Sequence, residues 1–107
     1  MPTDKLKGML SLAAKAGKIV SGETAVRDAI KKNKVVYLIA EKGSSANTTE
    51  RMGKFSAAYD LPLIFVENLG AGIGHPGRTM AALCDAGFGE AIRKIIEQQS
   101  LNGGAEG

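Results

Sequence analysis

The chain has no tryptophan, only 5% aromatic residues, one cysteine and one histidine in 107 positions. Each scarcity excludes something. So few aromatic rings argue against recognition by a broad stacking platform of the kind many single-strand binders use. A single cysteine excludes an internal disulfide and any cysteine-based zinc cluster, and it suits a reducing compartment. One histidine, His75, and one cysteine, Cys84, cannot assemble a usual zinc site. Cys84 falls in an apolar stretch and reads as a small core residue. No run approaches ~20 apolar residues, so neither a membrane span nor a secretory leader is expected. No metal and no cofactor is expected.

Hydrophobic residues make up 44% of the chain, which indicates a globular fold. The length suits a single domain with its own core. That domain is expected over residues 1–99, followed by a flexible tail at 100–107, which is rich in glycine and poor in apolar residues. The formal net charge of +3 is unevenly spread. Residues 1–34 hold eight lysines and arginines against three carboxylates, a net +5, which leaves −2 for the remainder. The cationic charge therefore belongs to the first third of the chain.

Helix and strand signals alternate along the sequence. Leu6, Met9, Leu10 and Ala13 give the apolar stripe of a helix over roughly residues 4–16, with Gly17 as its stop. Ile19-Val20 is a short strand, and Ser21 or Gly22 caps a second helix carrying Val26, Ala29 and Ile30. Residues 35–40 form a continuous β-branched apolar run, the mark of a buried strand. Asn47 and Glu50 fit a reciprocal cap for a third helix, whose face is Met52, Phe55, Ser56 and Tyr59. A strand over 63–66, a helical turn over 68–73, a strand over 79–84 and a last helix bearing Phe88, Ala91, Ile92, Ile95 and Ile96 follow. Such alternation predicts a central sheet with helices on both faces.

The segment 15–32 is the most informative. It reads as a helix end, a short strand, a glycine turn and a new helix, with Lys18, Arg27 and Lys31 around it. A helix N-terminus offers unpaired N–H groups and partial positive charge, a docking place for phosphate. Elsewhere the signals for chemistry are thin. Gly72, Gly74 and Gly77 match the literal G-x-G-x-x-G dinucleotide pattern. However, they precede a strand instead of joining a strand to a long helix, and Pro76 has no N–H to offer. A flexible loop open to close approach by a backbone or nucleobase is the better reading. His75 has no evident nucleophile or orienting partner, and Glu23, Glu41 and Asp85 are scattered, so an enzyme is not expected.

Several blocks carry a family resemblance: Ala16–Gly22, Ala29–Lys32, Leu38–Glu41 with Asn47-Thr48, Leu61-Pro62, and Gly77–Thr79. In these the chain resembles the small kink-turn-binding ribosomal proteins, the archaeal "seven-A-e" and eukaryotic "thirty-e" type, and in particular the bacterial YlxQ-like relatives. The resemblance spans nearly all of residues 5–96. It implies an α/β fold, a three-layer α/β/α sandwich with a four-stranded mixed sheet, and structured RNA docked at one end. Carried over by position, the contacts come from Lys18, Gly22, Glu23, Thr24, Arg27, Lys31, Glu41 and Lys42. The loop His75, Pro76, Gly77 and Arg78 would lie against a bulged nucleotide. Where the kink-turn readers place an Asn-Glu pair and a later lysine, this chain has Thr24, Ala25 and Asp28. Ala25 cannot accept a hydrogen bond from a base and Asp28 repels phosphate, so specificity is expected to weaken or shift. The expectation is a cytoplasmic, monomeric, non-catalytic RNA-binding protein. Its partners would be structured RNA, ribosomal RNA among the candidates, and ribosomal or other proteins, with no membrane. A protein-interaction module on the same fold, and a cofactor enzyme using the Gly72–Gly77 loop, are the alternatives.

Overall fold

A computed structural model describes the backbone of residues 2–106 and the side chains of residues 5–98. The elements run α1 (Pro2–Lys15), β1 (Ile19–Ser21), α2 (Glu23–Lys31), β2 (Tyr37–Glu41), α3 (Ala46–Tyr59), β3 (Leu63–Val66), α4 (Leu69–Ile73), β4 (Met80–Leu83) and α5 (Ala86–Glu106). The segment expected as a tail, 100–107, lies outside the residues whose side chains are described.

The four strands form one mixed sheet in the order β1-β4-β2-β3. β4 is antiparallel to both β1 and β2, with Val20 opposite Ala82 and Leu38 opposite Ala82, while β2 and β3 are parallel. Both sheet faces are covered. Because strand side chains alternate in direction, neighbours in β2 and β4 enter different cores. Ile39, Ala81 and Leu83 pack with Leu6, Leu10 and Ala13 of α1, Leu69 and Ile73 of α4, and Ile92 of α5. Leu38, Ala40, Met80 and Ala82 pack with Val26 and Ile30 of α2 and Met52 of α3. The architecture is the three-layer α/β/α sandwich. Strands buried on both faces read as unbroken apolar runs, which is why β2 shows no polar alternation.

One helix end differs from expectation. α3 begins at Ala46, and its cap is Ser45, whose Oγ accepts from the Thr48 N–H at 3.2 Å. Asn47 already lies inside the helix, so the reciprocal cap with Glu50 does not form. Ser45 stands one residue before the helix with extended backbone (φ −59°, ψ 157°), the geometry a capping side chain needs. α1 ends as expected: Gly17 adopts φ +75°, and its N–H and that of Lys18 bond back to the Ala14 and Ala13 carbonyls.

The topology brings several chain ends to one place. β1, β2 and β3 all end, and β4 begins, at the same end of the sheet. That end carries the start of α2, the residues after β2, all of α4 and the turn before β4.

Candidate nucleic-acid interface

At this end the chain leaves β1 through Gly22, whose N–H donates to the Met80 carbonyl at 3.0 Å. Gly22 then becomes the N-cap of α2 with φ +90° and ψ 153°, a region essentially reserved for glycine. It has no side chain with which to cap, and among the described residues no other side chain bonds the first-turn N–H groups of α2. The first-turn N–H groups of α2 are therefore left for solvent or a ligand.

Arg78 lies over that turn. A Cβ built on Gly22 would stand 2.7 Å from the Arg78 Nη1. Arg78 is exposed and makes no ion pair among the described residues. Together with Ser21, Glu23, Thr24, Ala25 and Asp28 it lines an open depression. An uncapped helix N-terminus and an unpaired guanidinium facing one space favour an anion there, and a guanidinium binds phosphate in a bidentate fork.

The turn that delivers Arg78 is built, not loose. The Arg78 N–H donates to the His75 carbonyl at 3.2 Å, with Pro76 and Gly77 between them. Gly77 has φ +89°. Proline first and a positive-φ glycine second are the signature of a type II turn. The flexible loop expected from the glycines is thus a hydrogen-bonded turn seated on α4. Gly70 makes the seat possible: a Cβ there would meet the His75 oxygen at 2.7 Å and the Gly77 nitrogen at 2.9 Å. The three glycines of the nominal dinucleotide pattern have separate jobs. Gly72 lies within α4, Gly74 ends it with φ +79°, and Gly77 forms the turn.

Glu41 has a structural task. Its carboxylate accepts from the Asn68 N–H at 2.9 Å and the Leu69 N–H at 2.7 Å, so β2 caps the start of α4 across the sheet end. Glu41 is thereby a positioning residue for α4 and for the turn that α4 carries. Lys42 stands beside it with its Nζ 4.0 Å from Glu67. Glu23 is also engaged. One oxygen pairs with Arg27 at 2.8 Å and the other with Arg51, while the Arg27 guanidinium lies 5.7 Å from the Phe55 ring centroid. Asp28, which faces the depression, pairs with Lys32 at 3.0 Å.

The structure therefore gathers Gly22, Glu23, Thr24, Glu41, Lys42, His75, Pro76, Gly77 and Arg78 at one end, with Arg27 one turn into α2. Two expected residues lie elsewhere. The Lys18 carbonyl accepts from the Cys84 N–H, which places Lys18 at the opposite end of the sheet. Lys31 closes α2, about 12 Å of helix from its start. Lys18 and Lys31 are near Gly22 along the chain but not in space. Arg51 reaches the Glu23–Arg27 pair from α3, and nothing local in the sequence marks that contact.

Cys84 is half-buried against the α2/α3 core, and burial pushes its thiol up from the ordinary value, against the opposing pull of Lys34. Among the described residues no group of His, Cys, Asp or Glu is placed to hold a metal ion. No helix among them is long and apolar enough to cross a membrane.

No family model matches the chain. Two curated proteins do, both called RNA-binding protein YlxQ. The one from Bacillus subtilis is 29% identical over 92 residues, covering 83% of this chain and 92% of that protein. The one from Enterococcus faecium is 28% identical over 96 residues, covering 87% and 92%. A solved structure of a protein of unknown function from Bacillus halodurans superposes with a TM-score of 0.78 at 27% identity, over 87% of this chain and 97% of that one. The Giardia lamblia 15.5kD RNA binding protein shares the fold, with a TM-score of 0.74 at 13% identity over 91% and 86%. By sequence the chain is similar to two bacterial YlxQ proteins, as residues 16–22 and 38–41 lead one to expect, and by fold to the Bacillus halodurans and Giardia proteins.

Proposed function

We propose that this protein is a non-catalytic binder of structured RNA, acting in the cytoplasm on ribosomal or similar folded RNA. The observation that carries the reading is the Arg78 guanidinium seated over Gly22 at the uncapped start of α2. The RNA-binding names of its relatives support the same partner.

In this reading a phosphate at a bend of the RNA sits between the first-turn N–H groups of α2 and Arg78. Thr24 offers a hydroxyl to a base edge or sugar beside it. His75 and Pro76 form the wall against which an unstacked nucleotide rests. Phosphate contacts set position, and base-edge contacts set specificity. With Ala25 and Asp28 in the places that read the kink in the better-known family members, affinity here rests on the backbone more than on bases.

The test is a titration of kink-turned RNA and plain duplex at several salt concentrations, with wild type and Arg78→Ala. The expected result is preference for the bent RNA. In the variant, affinity falls about tenfold and the salt slope falls by about one unit, the signature of one lost phosphate contact. Unchanged binding by Arg78→Ala would remove the site assignment. Absence of binding to either RNA at low salt would remove the RNA reading and leave a protein-docking fold.

A further inference from the structure

Beside the phosphate seat lies a second feature that the first does not use, the groove between α2 and α3. Both helices start at the Gly22 end and run back along the same sheet face, so the groove leads away from that seat. It is continuous with the seat through Glu23, which lines the depression and also holds Arg27 and Arg51. Its length is that of α3, about 20 Å at the usual helical rise.

The groove is cationic. Arg27, Lys31, Arg51 and Lys54 face it, against Glu23 and Glu50. Glu23 is already shared by two arginines, and Lys31 and Lys54 have no carboxylate partner among the described residues. It is also aromatic, in a chain with very few rings. Phe55 lies under Arg27, and Tyr59, at the far end, is 55% exposed. Unpaired cations suit a polyanion, and an uncovered ring with a guanidinium held over a second ring suits the flat face of a base. An acidic peptide would meet the charge but leave Tyr59 unused.

We infer that the α2/α3 groove seats a single-stranded RNA segment leaving the folded element bound at Gly22 and Arg78. The inference rests on the RNA reading of that end. The lysines and arginines track the backbone of the strand, and one base stacks on Tyr59. Because stacking is indifferent to base identity, the seat adds affinity without adding sequence preference.

The experiment compares a bare kink-turned stem with the same stem carrying about five unpaired nucleotides, a span within the range of single-strand sites, on either its 5′ or 3′ end. Wild type should bind one extended form roughly five- to tenfold more tightly than the bare stem, the increment one stacked base and a few phosphate contacts supply. Lys54→Ala combined with Tyr59→Ala should abolish that gain and leave bare-stem affinity unchanged. Both side chains are exposed, so the fold is not at stake. An extension of abasic nucleotides should recover only part of the gain. If the bare stem binds but neither extension tightens it, or if the gain survives the double variant, the groove assignment is overturned while the Gly22–Arg78 seat stands. An abasic extension as effective as the normal one would overturn base stacking in the groove. Failure of every RNA to bind would overturn both.

Discussion

Replacing Gly22 by alanine tests two properties of one residue. The backbone there has φ +90° and ψ 153°, and an L side chain in such a region costs about 1–3 kcal/mol. The new methyl would also stand 2.7 Å from the Arg78 Nη1. That atom is the far end of a flexible side chain and moves aside at little cost, so the steric term adds little to stability but displaces the guanidinium. Urea titration of Gly22→Ala should therefore show a loss of about 1–3 kcal/mol, and thermal melting a drop of roughly 4–12 °C for a domain of this size. RNA affinity should fall more than partial unfolding explains. In the double variant Gly22→Ala/Arg78→Ala the binding losses should be far from additive, because the first substitution already dislodges the group the second removes. If Gly22→Ala melts with the wild type, or if the two binding losses simply add, the geometry argued for this turn is wrong.

Other substitutions divide positioning from contact. Gly70→Ala drives a methyl into backbone atoms of the His75–Arg78 turn, which cannot rotate away. It should cost about 1–3 kcal/mol in chemical denaturation and weaken RNA binding from a residue that never touches RNA. Glu41→Ala removes the carboxylate from the Asn68 and Leu69 N–H groups at the start of α4, an expected loss of about 1–2 kcal/mol, measured by the same titration. Glu23→Gln should tighten RNA binding and steepen its salt dependence by releasing Arg27 and Arg51, with under about 1 kcal/mol lost from these partly exposed pairs. Weaker binding by Glu23→Gln would instead make Glu23 a direct reader of a base. Burial raises the Cys84 pKa, so the thiol is more protonated at neutral pH than a free one. Alkylation followed by mass spectrometry should be slower than for a model thiol, with its onset moved to higher pH. By linkage this group favours the folded state at low pH, and that contribution fades as pH rises through its raised folded value.

Much of the architecture was legible because periodicity reports burial. The α1 stripe at Leu6, Leu10 and Ala13 is buried as its spacing implies, and the unbroken run ending at Ala40 is the two-faced central strand. Capping was harder. Ser45 and Asn47 are equally good caps by residue type, and only the backbone entering α3 chooses between them. At the candidate site, residues adjacent in sequence were legible and residues adjacent in space were not. Lys18 is four positions from Gly22 but a strand length away in the fold. Arg78 is distant in sequence, and β4 lying beside β1 brings it over Gly22. The resemblance already included Arg78, but the reason for its place is the turn set by Pro76 and Gly77 and the bare surface of Gly70. Glu41 was legible as a strand-end residue, yet its capping of α4 depends on β3 running parallel beside β2, which no local pattern encodes.

The central claim is that RNA phosphate meets the start of α2 and Arg78. The most direct measurement is a two-dimensional amide NMR titration of the labelled protein with a kink-turned RNA. The largest shifts are expected at the backbone amides of Glu23, Thr24 and Ala25 and at the Arg78 side-chain N–H, with smaller ones through His75–Gly77. Shifts confined to the opposite end of the sheet, around Lys18 and Cys84, or to the α1/α5 face, would contradict it.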